Sequence, residues 1–177
     1  MRKQPDFREL FFRFFGGKPR KVSYAIRKDS NRYHDLIMLN SLIHDGRFMR
    51  ESIRVRGKRV SIPLRRDCWE LPHVPLSENS AEMYRTEARL TLSPVSCIDW
   101  VFDRDMRIEK NGELMIESLW FYRDLFECPE YKFIVLEGFS WKGLFTVDDF
   151  DFTVRLTDLT APYLDSEKKQ RNQRPRD

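Results

Sequence analysis

Between residues 47 and 66 the chain carries Arg47, Arg50, Arg54, Arg56, Lys58, Arg59, Arg65 and Arg66 against a single carboxylate, Glu51. Within that stretch Ile53 and Val55 alternate with Arg54 and Arg56, and Val60, Ile62 and Leu64 alternate with Arg59 and Ser61. Alternation of this kind marks half-buried strands, and Gly57-Lys58 suits a two-residue hairpin loop. The register then sets Arg56 opposite Arg59 and Arg54 opposite Ser61, on the face away from Ile53, Val55, Val60 and Ile62. Like charges opposed across a ladder are destabilising, so this face calls for anionic company. The eight basic residues are the candidate binding site. Carboxylates of the same chain, of a second copy or of a protein partner could supply that company, as could the phosphates of nucleic acid or of an anionic membrane.

Other residue types capable of chemistry are less well placed. His34-Asp35 and His44-Asp45 fall on one expected helix, and a His-Asp pair can hold a metal. Ten residues along a helix leave the two histidines about 80° apart in azimuth and about 15 Å apart in height, too far for one ion. His44, beside Gly46, is explained by the helix dipole at a C-terminus. Gly16-Gly17-Lys18-Pro19 lacks the spacing and hydroxyl of a Walker loop. Cys68 and His73 are the one nearby thiol–base pair. Cys68, Cys97 and Cys128 form no CxxC, so neither a zinc site nor a disulfide framework is expected. Asp103 and Asp105 follow one expected strand, and Asp148, Asp149 and Asp151 sit at a turn near another, without the spacing of a calcium loop. Solvated turn residues explain them. No catalytic residue, metal ligand or cofactor is assigned.

The elements that would position these groups are readable in outline. Asp6 could cap a helix over 7–15, where Phe7, Leu10, Phe11 and Phe14 share a face and Gly16-Gly17 ends the run. A second helix is expected over 31–45, with Tyr33, Leu36, Leu39 and Ile43 as its stripe and Gly46 as its C-terminal glycine. Residues 72–82 read as a surface loop. From Ala88 onward the pattern is strand after strand, with Asn111-Gly112 as a hairpin turn leading into Leu114, Ile116 and Trp120. Phe150, Phe152, Val154 and Leu156 alternate with Asp151, Thr153, Arg155 and Thr157, the signature of antiparallel strands wet on one face. The expected fold is α+β, mainly antiparallel β as a sandwich or strongly curved sheet, with two N-terminal helices packed on it. One globular domain is expected over 1–164, with a disordered basic tail over 165–177.

Charge is divided unevenly along the chain. Residues 1–66 hold 18 Lys/Arg against 6 Asp/Glu, whereas residues 67–165 hold 9 against 20. The total of +4 conceals this polarity. With 41% apolar and 14% aromatic residues the chain can fill a core. No apolar stretch approaches the ~18 residues that a membrane span requires, and the N-terminus makes a poor signal peptide, so a cytoplasmic protein is expected. The leading functional reading is a non-enzymatic interaction module with charge-complementary faces, binding a protein partner or its own copy. The alternatives are a nucleic-acid or anionic-membrane binder using the basic hairpin 47–66, and an enzyme whose site is assembled from distant residues such as Cys68, His73 and the Asp loops. No RNP, KH or helix-turn-helix signature supports the nucleic-acid alternative.

Overall fold

The computed structural model describes residues 20–27, 32–71, 74–77, 80–103, 112–122, 132–147 and 152–166. Among them the elements are β1 (Ser23–Ile26), α1 (Arg32–Ile43), β2 (Arg47–Met49), a 3-10 turn (Arg50–Ser52), β3 (Arg54–Arg56), β4 (Arg59–Asp67), β5 (Val74–Ser77), β6 (Ser80–Glu82), β7 (Arg85–Ser93), β8 (Cys97–Phe102), β9 (Glu113–Met115), β10 (Ser118–Tyr122), β11 (Lys132–Gly138), β12 (Trp141–Val147) and β13 (Thr153–Asp158). The larger sheet has the order β1-β13-β7-β4-β2-β9, with β3 also on β4; the smaller has the order β10-β11-β12-β8. Every named pairing is antiparallel.

Each long strand alternates as its sequence dictates. Val60, Ile62 and Leu64 of β4, Leu90 and Leu92 of β7, and Val154 and Leu156 of β13 point inward, all at most 3% exposed. They share one hydrophobic cluster with Leu119, Ile134, Leu136 and Phe145 of the smaller sheet. Fully burying one such side chain is worth about 1.5–3 kcal/mol, so this shared interior is what joins the two sheets. Phe48 of β2 meets Trp141 edge-on at 5.5 Å, and Trp100 lies 5.9 Å from Trp141, extending the core to the mouth between the sheets.

The expectation of two N-terminal helices packed on the sheet is corrected. One α-helix, α1, is present among the described residues, and the stretch 7–15 lies outside them. The inner face of the larger sheet is covered mainly by the smaller sheet, and the one helix shares the cover: α1 buries Leu39, Leu42 and Ile43 in the same core and packs against β1, β4 and β10. The Asn40 side chain donates from Nδ2 to the carbonyl of Leu119 and accepts the Leu119 amide at Oδ1, at 3.0 and 2.7 Å, as a neighbouring strand would. Tyr24 of β1 donates its hydroxyl to Asp35 and ties the helix to the β1 edge of the larger sheet.

Helix α1 ends differently from the expected glycine cap. Asp45 takes the left-handed position at φ 60°. Gly46 is needed for room, since a Cβ there would stand 2.7 Å from the Ile43 carbonyl oxygen. The Asp45 amide then donates to Ile116, and the Ile116 amide to Gly46.

Two strand expectations also change. Val74–Ser77 and Ser80–Glu82 form the ribbon β5–β6 rather than a plain loop, paired from Val74↔Glu82 to Ser77↔Ser80. Gly112 has φ 63°, as a turn requires, while Asn111 lies outside the described residues. The strand that follows, β9, pairs with β2, and β8 pairs with β12. The run from Leu114 to Trp120 is therefore two strands in two sheets. The transfer occurs at Glu117, whose amide donates to Glu137. The fold continues past Leu164: Asp165 pairs with Arg85, and Ser166 donates its amide and hydroxyl to Glu82. Residues 167–177 lie outside the described set.

Candidate functional site

The β3–β4 hairpin turns at Gly57, with φ 55°, and pairs Arg54↔Ser61, Val55↔Val60 and Arg56↔Arg59. Strand β4 runs beside β7 with Ser61↔Thr91 and Pro63↔Arg89 in register. Inward alternation of Val60 and Ile62, at 1% and 0% exposure, forces Arg59 and Ser61 outward. The same parity on β7 buries Leu90 and turns Arg89 out. Arg54, Arg56, Arg59, Ser61 and Arg89 together line a concavity of about 290 Å³ on the outer face of the larger sheet. Its four arginines are exposed and Ser61 is half-buried. Among the described residues none of the four forms an ion pair.

The other basic residues of the stretch have separate fates. Arg66 continues the inward series Val60, Ile62, Leu64 and is fully buried. Its guanidinium donates from Nε and Nη2 to Asp158 at 2.9 and 2.8 Å, and from Nη1 and Nη2 to Glu70 at 3.0 and 2.6 Å. Burial opposes the charge, but these carboxylates outweigh it and hold Arg66 protonated well above the ordinary arginine range. Arg65 reaches Glu113 at 3.8 Å and stands opposite Arg47 in register. Arg47 lines a second recess with Arg65, Glu87 and Glu113, where the charges are mixed. Arg50, in the 3-10 turn, sets its Cζ 5.6 Å from the ring centroids of both Trp100 and Phe102, a cation–π seat at the mouth between the sheets. Lys58 lies in the hairpin turn, and its carbonyl accepts the Val95 amide. The eight residues expected to act together thus divide: Arg54, Arg56 and Arg59 share the concavity, and Arg66 is withdrawn into the interior.

Arg89, the fourth lining arginine, was not among the expected site residues. Its outward direction follows from β7 alternation, but its neighbours depend on the β4–β7 register, which no local pattern encodes. Arg155 points outward on β13, two strands from β4.

The catalytic and metal candidates fare as follows. Burial pushes the Cys68 thiol up to about 12; nearby Arg66 lowers it, and Glu70, Asp158 and Asp67 raise it further. A thiol held protonated is a poor nucleophile at neutral pH. Its proposed base, His73, lies outside the described residues, as do Cys128, Asp105, Asp148, Asp149 and Asp151. His44 Nδ1 contacts its own neighbour Asp45 at 3.0 Å. Cys97 and Asp103 are exposed. Among the described residues no three His, Cys, Asp or Glu side chains gather as a metal site, and no helix is long and apolar enough to cross a membrane. Compared with known protein families, curated proteins and solved structures, the chain matches none.

Proposed function

We propose that this chain is a non-enzymatic interaction module that binds an anionic partner on the arginine face of its larger sheet. The observation that supports the reading is the gathering of Arg54, Arg56, Arg59 and Arg89 around one concavity whose described lining contains no carboxylate. Intramolecular neutralisation was the rival account of these charges. It operates at Arg65 through Glu113 and at Arg66 through Glu70 and Asp158. It does not reach the four concavity arginines among the described residues. Of the acidic half, Asp99 and Glu137 stand on the outward side of the smaller sheet, whereas Glu87 shares the arginine face, two residues from Arg89 and outside the lining of the concavity. An arginine held opposite an arginine costs stability in the free protein, and a bound anion offsets that cost.

Retention on a heparin column, used as a generic polyanion, tests the reading. The wild-type chain is expected to bind at low salt and to elute as salt screens the contacts. The Arg54→Glu, Arg56→Glu variant is expected in the flow-through. A wild-type chain that is not retained at low salt would sink the proposal. A double variant that elutes with the wild type would move the site elsewhere.

A further inference from the structure

We infer that the occupant of the concavity is a compact polyphosphate, meaning two or more phosphate groups carried on one small molecule. This rests on the anion-binding reading above and narrows its partner. Three features of the face support it.

The first is convergence. The four arginines come from β3, β4 and β7, three adjacent strands spanning about 10 Å of sheet. They surround one recess of about 290 Å³ rather than forming a track. Guanidinium groups fit phosphate oxygens in paired hydrogen bonds, so several around one recess suit several phosphates held close together. The Ser61 hydroxyl at the lining adds a neutral donor.

The second is that the positive field is bounded along β7. Glu87 lies two residues from Arg89 on the same face of β7, about 7 Å away. It stands opposite Arg65 and accepts the Tyr163 hydroxyl at 3.1 Å. A nucleic-acid strand long enough for six or more phosphate contacts and lying along β7 would pass over this carboxylate. A compact ligand does not reach it.

The third is the absence of a stacking platform. Single-strand binders combine a basic groove with aromatic side chains on which bases lie. The outward residues that carry this face across the sheet are Thr91, Arg155, Thr157, Ser23 and Ala25. None is aromatic. Trp100 and Phe102 are turned toward the core, and Trp120 and Tyr122 belong to the other sheet. Among the described strand residues of this face there is no aromatic ring on which a base could stack.

Isothermal titration calorimetry on the full chain tests this, with tripolyphosphate, inorganic phosphate and a single-stranded oligonucleotide of about 20 residues as probes at ~0.15 M salt. One tripolyphosphate per chain is expected, bound at least roughly tenfold more tightly than inorganic phosphate. Arg54→Gln and Arg89→Gln are each expected to weaken it by roughly tenfold, and Arg155→Gln to leave it unchanged. These side chains are exposed, and thermal unfolding of each variant verifies the fold. An oligonucleotide that binds more tightly than tripolyphosphate overturns this inference and leaves the anion-binding reading standing. Tripolyphosphate binding that survives the Arg54→Gln, Arg89→Gln double variant also overturns it. If no probe binds even at low salt, both readings fall.

Discussion

Replacing Arg66 by methionine should be the most damaging single change in the larger sheet. The Arg66 and Asp158 side chains are 0% exposed and that of Glu70 is 4% exposed, so all three charges are out of water. The substitution deletes the hydrogen bonds from Nε, Nη1 and Nη2 and leaves two carboxylates facing a space without a cation. Removing one partner of a buried pair typically costs about 3–5 kcal/mol, because the remaining charge is uncompensated. Two uncompensated carboxylates place this case at the upper end. For a chain of this size each kcal/mol moves the melting temperature by about 2–4 °C, giving a fall of roughly 6–20 °C. The neighbours should rank in order. Asp158→Asn should cost more than Glu70→Gln, since the same Asp158 Oδ2 that holds Arg66 also accepts the Val22 amide at 2.8 Å. Urea unfolding at neutral pH measures all three. A loss below about 1 kcal/mol for Arg66→Met, the size of an exposed pair, would refute the reasoning and mean that water reaches the cluster.

Three further outcomes follow from the same geometry. Asn40→Ala should cost about 1–3 kcal/mol and speed hydrogen exchange at the Leu119 amide, since both Leu119 backbone groups lose their partner; unchanged exchange there would show that the side chain is not acting as a strand. Arg56→Thr should stabilise the chain by about 0.2–1 kcal/mol at low salt by relieving the pair with Arg59, with the gain fading at high salt where the Debye length is about 3 Å; denaturant titrations at two salt concentrations decide it, and a loss of stability at low salt would contradict the repulsion. The Cys68 thiol gives a pH dependence: the unfolded chain releases its proton near 9, the folded chain near 12, so stability should fall as pH rises through that window and the slope should be smaller in Cys68→Ala; equal slopes in thermal melts above pH 9 would exclude the assignment.

The parts of this molecule legible in the sequence are those governed by local alternation. The β3–β4 register, with Arg56 against Arg59, follows from a two-residue loop and is found in the structure, but the expected burial of β3 is not: Val55 is 57% exposed at the sheet edge. The inward set of β13 and the extent of α1 rest on equally local rules. What the sequence hid is set by which strand lies beside which. Nothing local tells β9 to join β2 rather than β8, or tells β7 to bring Arg89 beside Ser61 and Arg59. Arg66 is a different case. Its inward parity with Val60, Ile62 and Leu64 was visible in the sequence, yet a charge at an inward position is expected only if partners await it. Asp158 lies 92 residues away in sequence, so the partnership could not be anticipated.

The uneven charge of the chain acquires a physical meaning from these separate fates. Arg66 is neutralised at depth, Arg65 at the surface, and Arg50 rests on aromatic rings. Each has its compensation within the described fold. The concavity arginines have none there, and their ladder geometry keeps two of them opposed. If the hairpin were only a sheet edge, a neutral residue at position 56 would serve it better on stability grounds. A single arginine can guard an edge against unwanted pairing, but edge protection does not require three strands to aim four guanidiniums into one recess. The two explanations therefore part at Arg89, which lies on β7, away from the edge, between β4 and β13. Edge protection gives Arg89→Gln no effect on anion binding, whereas a binding recess makes it as harmful as Arg54→Gln.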